Sequence, residues 1–202
     1  EQTLTNAAQE NPSLEVYTTL ANFYSKAGRV PEAIQAIDGA LAHIPPSDAA
    51  TLKRYQDFRF TLVQLQNALN AAQASPNDPE AQRAVAQQWL ARGQLDFALP
   101  AFERVVQLKP DDYTAQRNVA LILIATDQLP RASQAITQLQ PIAPSSDQVF
   151  WQRLGSILNN IQNGNANEAL TQLDELAKNA NLQDYALTRA LQKLAEKLKA
   201  TG

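Results

Sequence analysis

The chain has 202 residues, 45% of them hydrophobic, and a formal net charge of −3; these are the values of an ordinary folded domain and exclude disordered and collagen-like classes. Residues 1 to 101 carry seven basic and ten acidic groups and residues 102 to 202 carry ten of each, so the basic excess that phosphate backbones demand is missing and no nucleic-acid partner is expected. With no cysteine there is neither a disulfide framework nor a thiolate nucleophile, and no apolar run approaches the roughly 18 to 20 residues of a membrane span, so this segment itself is expected to make no membrane contact.

Residues 1–12 read as the second helix of a preceding pair, with Leu4 and Ala7 at core positions. A first complete pair is expected over 14–47: Tyr17, Leu20, Ala21 and Tyr24 mark the inner stripe of its first helix, and Ala33, Ile37 and Ala40 that of its second. Gly28 falls between the two stripes, where a tight turn wants a residue that tolerates positive φ, and Pro31 stands early in the new helix, where its missing N–H is harmless.

Residues 48–74 contain neither glycine nor proline, and Tyr55, Phe58, Leu62, Leu65, Leu69 and Ala72 follow a three-four spacing. The 48–78 stretch therefore reads as an irregular long helix, roughly 40 Å if continuous, with a degenerate pair turning near Asp57 to Phe60 as the less favoured alternative.

A second pair is expected over 79–112 through Val85, Ala86, Trp89, Gly93, Ala98 and Phe102, although Gln82 stands where a bulky residue is wanted. A third, 113–146, runs through Val119, Ala120, Leu123, Ala132 and Ile136, with Asp127 in the place of the turn glycine. A fourth, 147–181, opens on Trp151-Gln152-Arg153-Leu154-Gly155 and passes through Gly164 to Ala169, Leu173 and Leu176. Residues 182–202 read as a capping helix, apolar at Leu187, Leu191, Leu194 and Leu198; its lysines, Lys193, Lys197 and Lys199, suit the helix dipole and require no binding role.

The punctuation is regular. Pro12 and Pro46, Pro76 and Pro110, and Pro110 and Pro144 are each 34 residues apart, and only the step from Pro46 to Pro76 is shorter, at 30. With the large, small and aromatic positions above, this chain resembles the tetratricopeptide repeat family, whose period is about 34 residues. The resemblance implies an all-α fold, a right-handed α-solenoid of antiparallel helix pairs, and treats 1–202 as a single domain. Each pair has one apolar stripe that it cannot bury alone, and stacking pairs buries all the stripes in one core.

In that family the first helices of successive pairs line a concave groove that holds extended peptides. Helical spacing then places Asn22 on the groove side of the first complete pair, Arg83 and Gln87 on the second, Arg117, Leu121 and Ile124 on the third, and Arg153 on the fourth. Asn22 matches the family's groove asparagine, while the lysines of its carboxylate-clamp subclass are absent. Arg83, Arg117 and Arg153 would form a ladder for a partner segment with spaced carboxylates or a free C-terminus, beside an apolar patch at Leu121 and Ile124.

No catalytic constellation is expected. The single histidine, His43, sits at a helix end, where a cation complements the last carbonyls, and with no second histidine and no cysteine it has no metal-ligand companions. Asp111-Asp112, Asp78 and Glu80 follow prolines and read as helix caps. No glycine-rich phosphate loop and no nucleophile-elbow serine occur. The expected function is a non-catalytic scaffold, without cofactor or metal, that binds another protein or peptide segment. The alternative is a self-assembly or regulatory domain that dimerises through exposed solenoid ends. The first residue, Glu1, and the absence of methionine suggest a segment of a longer protein; cytoplasm and periplasm both stay open, the cytoplasm slightly favoured.

Overall fold

The computed structural model describes residues 2–178, 180 and 183–201, without the side chains of residues 2–4, 7 and 201. Among the described residues there are eleven α-helices, one short 3-10 turn and no strand. The chain divides into two compact units, Glu1–Ser75 and Pro76–Gly202, where a single domain was expected.

The first unit holds α1 (Gln2–Glu10), α2 (Leu14–Lys26), α3 (Val30–Leu41) and α4 (Ala49–Ala74). Helices α2 and α3 form an antiparallel pair about Gly28, whose φ of 73° is open to glycine at little cost. Leu20, Ala21, Tyr24, Ala33, Ile37 and Ala40 are buried between them. Gly39 has a particular reason to lack a side chain, since a Cβ there would lie 2.6 Å from the Tyr17 ring. The Leu4 and Ala7 side chains lie outside the described residues, but neighbouring Ala8 is buried and Thr5 meets the Tyr24 hydroxyl at 3.4 Å.

Residues Ala49–Ala74 are one uninterrupted helix of 26 residues, with no turn near Asp57 to Phe60. Asp48 caps its start by accepting from the Thr51 N–H at 3.1 Å. Arg59 donates to Asp38 at 2.5 Å and ties α4 to α3. The apolar positions of α4 are unevenly used: Leu62 and Leu65 are fully buried, whereas Phe60 is 62% exposed.

The second unit comprises α5 (Pro79–Ala91), α6 (Leu95–Leu108), α7 (Tyr113–Ala125), α8 (Leu129–Leu139), α9 (Ser145–Gln162), α10 (Ala166–Lys178) and α11 (Tyr185–Thr201). Consecutive helices pack as the pairs α5/α6, α7/α8 and α9/α10, and successive pairs stack through α6 on α7 and α8 on α9. This is the solenoid principle: no pair closes its own core. Ala86, Ala98, Ala115, Ala120 and Ala132 are fully buried and let the backbones approach, while Phe102, Ile136 and Trp151 fill the spaces between.

The turn inside each pair repeats one geometry. Gly28, Gly93 and Gly164 have φ of 73°, 69° and 77°. The N–H of the following residue bonds back five residues in each case: Arg29 to Tyr24, Gln94 to Trp89 and Asn165 to Asn160, at 2.8 to 3.0 Å. This is the Schellman closure of a helix end. The third turn keeps it with Gln128 to Leu123 at 2.8 Å, although its left-handed residue is Asp127, at φ 60°.

Candidate functional site

The residues expected to line a groove fall into different environments. In the second unit α5, α7 and α9 supply the face on which Arg83, Gln87, Arg117, Leu121 and Ile124 were placed. Gln87 is exposed there. Leu121 and Ile124 are not an open apolar patch: both are fully buried.

Their burial follows from the C-terminal helix. Helix α11 touches α10, as a capping helix should, but it packs more extensively on α7 and also reaches α5. Its stripe of Ala186, Leu187, Ala190, Leu191, Leu194 and Leu198 is buried. The helix starts beside the turn after α5, where Tyr185 lies so close to Gly93 that a Cβ there would meet the tyrosine hydroxyl at 2.6 Å. It ends beside the turn after α7, where the Lys197 ammonium donates to Asp127 at 2.9 Å. Leu198 shares a cleft of about 250 Å³ with Ile161, Gly164 and Ala166, at the turn after α9. Lys197 therefore binds a partner within the chain, a role that helix-dipole reasoning had not assigned to it.

The arginine ladder is likewise occupied. Arg83 donates to both oxygens of Glu80 and to Asp112, and Arg117 donates to Asp184 at 2.6 Å. The Arg83 and Arg117 side chains are only 17% and 23% exposed. Both acids have second tasks: Asp184 caps α11 with Oδ1, accepting from the Leu187 N–H, and holds Arg117 with Oδ2, while Asp112 caps α7 with Oδ1, accepting from the Ala115 N–H, and takes Arg83 on both oxygens. Burial pushes the Asp112 carboxyl up, but the Arg83 guanidinium and the Ala115 N–H outweigh it and hold the group below its ordinary value. Arg153 is exposed and lines a separate cleft of about 210 Å³ with Ser146, Val149, Phe150 and Leu176, between α9 and α10.

A polar relay that the sequence reading missed links α7 to α9. The Trp151 indole N–H donates to the Tyr113 hydroxyl at 2.8 Å, and that hydroxyl donates to Asp147 at 2.5 Å. Burial, then the bond to Asp147, pushes Tyr113 up to about 12. The Tyr113 hydroxyl holds Asp147 below its usual range, helped by Ser146. Trp151 is fully buried, so the relay satisfies an indole that would otherwise lack a partner.

The first unit has an open face. Asn22 is exposed on α2 and, with Thr18, looks across a cleft of about 380 Å³ to Arg54, Tyr55 and Phe58 on α4. The Thr18 hydroxyl donates to the Leu14 carbonyl at 2.6 Å, which leaves its oxygen free to accept. The Tyr55 hydroxyl, 2.7 Å away, is thereby the donor to it. Tyr55 is so fixed as the floor, with the Arg54 guanidinium 5.3 Å from its ring centroid. The wall offers an amide that can both donate and accept, an exposed cation and two aromatic surfaces. Such a set suits one stretch of polypeptide carrying an apolar and an acidic side chain.

No group of three or more potential metal ligands occurs among the described residues, and none of their helices is long and apolar enough to cross a membrane. His43, on the α3 side of Tyr17, bonds through Nδ1 to the Gly39 carbonyl at 2.8 Å and packs on the Tyr17 ring, 5.3 Å between centroids; both contacts are structural.

A family model described as tetratricopeptide repeat matches residues 89–152, from the end of α5 into α9. No curated protein matches the chain.

Proposed function

We infer that this chain, whose residues 89–152 match a tetratricopeptide repeat model, is a non-catalytic scaffold that holds an extended segment of another protein in the cleft between α2 and α4. Repeats of this family generally serve as protein-interaction modules. The observation that carries the reading is the juxtaposition of Asn22 with Arg54, Tyr55 and Phe58 around an open space of about 380 Å³. Asn22 takes one backbone amide unit of the bound segment, Arg54 a carboxylate, and Tyr55 and Phe58 the apolar side chain beside it. The specificity is for an acidic residue next to a large apolar one, and the partner needs no folded surface of its own.

The test is selection of random displayed peptides on the intact chain, followed by affinity measurement on the Asn22→Ala/Arg54→Ala variant. Both positions are exposed, so the variant keeps its circular dichroism spectrum. Selected peptides should carry the acidic-apolar pair and bind the variant at least about tenfold more weakly, the worth of 1.4 kcal/mol. Peptides that bind both proteins equally, or no enrichment at all, would refute the assignment.

A further inference from the structure

The second unit carries a different device, independent of the cleft in the first. The C-terminal half of α7 is apolar on every side: Val119 to Ile124 are six consecutive apolar residues, and all are buried. Its neighbours α6 and α8 cover part of that surface. The remainder lies on the face built by the first helices, and α11 packs against it. Residues of α11 lie beyond the 89–152 stretch that the repeat model matches.

The contacts at the two ends of α11 are polar and directional. Asp184 enters Arg117 at 2.6 Å and, thirteen positions later, Lys197 enters Asp127 at 2.9 Å. Both pairs keep access to water, with side chains 23% to 40% exposed, so each is weak and reversible.

Asp127 is the telling residue. It is the only non-glycine among the described residues with positive φ, at the turn position that Gly28, Gly93 and Gly164 occupy elsewhere. Aspartate is one of the few residues with a side chain that the left-handed region tolerates, and its carboxylate is the group that Lys197 reaches.

We propose that α11 is an internal ligand: the face of α7 in the second unit, flanked by α5 and α10, is a helix-binding groove that α11 fills in the chain by itself, and a partner's amphipathic helix of matching chemistry displaces it. The matching helix carries an acid at its N-cap for Arg117, a leucine and alanine stripe at three-four spacing for α7, and a lysine thirteen residues after the acid for Asp127. The two units thus differ in what they recognise, an extended segment in one and a helix in the other.

The probe is a fluorescein-labelled synthetic peptide with the sequence of residues 184–201, titrated into the intact chain and into its Asp184→Ala/Lys197→Ala variant. Those substitutions loosen the resident helix and leave Arg117 and Asp127 in place. The variant should bind the peptide at least tenfold more tightly than the wild-type chain. Adding Arg117→Glu to the variant should abolish the gain, and a peptide with Asp184→Lys should restore it.

Hydrogen exchange on the unmodified chain supplies a readout that needs no variant. Amides of residues 188–198 should exchange at least a hundredfold faster than those of α7, because α11 opens without global unfolding. Equal exchange in α11 and α7, or a peptide affinity that the substitutions leave unchanged, would overturn the proposal and make α11 a permanent part of the core.

Discussion

Gly39→Ala sets two known effects against each other at one atom. In the interior of α3 (Val30–Leu41) glycine costs roughly 1 kcal/mol relative to alanine, so propensity alone favours the substitution. The new Cβ, however, would lie 2.6 Å from Cδ1 and Cε1 of Tyr17 and 3.0 Å from Cγ. Real Cβ atoms do not approach so closely, and because Cγ is also in range the ring cannot escape by turning about its own axis. Tyr17 must shift as a whole, which breaks its packing on His43 and costs about 2 kcal/mol as overpacking.

The substitution should therefore destabilise the first unit by about 1 kcal/mol. In a Tyr17→Ala background the obstacle is gone, and the same change should stabilise by about 1 kcal/mol. The coupling of about 2 kcal/mol is read from a double-mutant cycle by urea titration. Both tryptophans, Trp89 and Trp151, lie in the second unit, so tryptophan fluorescence isolates its transition, and the far-UV circular dichroism change that fluorescence does not track belongs to the first. An effect of the same sign in both backgrounds would refute the steric account.

Three further predictions concern the second unit. Arg83→Ala leaves the carboxylate of Asp112, 6% exposed, without its guanidinium; the expected loss is about 2 kcal/mol, between the worth of surface and fully buried pairs, measured by the tryptophan fluorescence midpoint in urea. Trp151→Phe removes the donor to Tyr113 from a fully buried site and should cost about 2 kcal/mol by the same assay. Stability should also fall at both ends of the pH scale. Asp112 and Asp147 sit below the ordinary carboxylate value of 3.8, so their contribution is complete above it and is lost as pH drops below it. Tyr113, raised from 10.0 to about 12, contributes fully below pH 10 and loses that contribution between 10 and 12; Tyr113→Phe should flatten the alkaline limb.

Much of the fold was legible because the signals are local. The 34-residue proline spacing and the glycines between amphipathic stretches announce helix pairs through backbone chemistry that no distant contact can override. The continuity of α4 was legible in the same way, since nothing in 48–74 could break a helix. What escaped was the partner of each surface. The stripe of α11 could be read from Leu187, Leu191, Leu194 and Leu198, but amphipathicity says that a face is covered without saying by what. Here the run Val119 to Ile124 did hold a usable sign: a helix apolar all round is covered all round, which is incompatible with Leu121 and Ile124 lining an open groove. The ion pairs of Arg83 and Arg117 were not legible for a related reason. The acids that bind them, Asp112 and Asp184, are also helix caps, and a cap explains only one of two carboxylate oxygens.

The placement of α11 against α7 is the claim on which the division between an open face and a self-occupied one depends. A zero-length carbodiimide coupling followed by peptide mass spectrometry tests it directly, because Lys197 and Asp127 are 2.9 Å apart and the reagent bridges only groups in contact. The expected product, in the monomer, joins Lys197 to Asp127. Coupling of Lys197 to the acids of α10, Glu168, Asp174 or Glu175, with none to Asp127, would contradict the account.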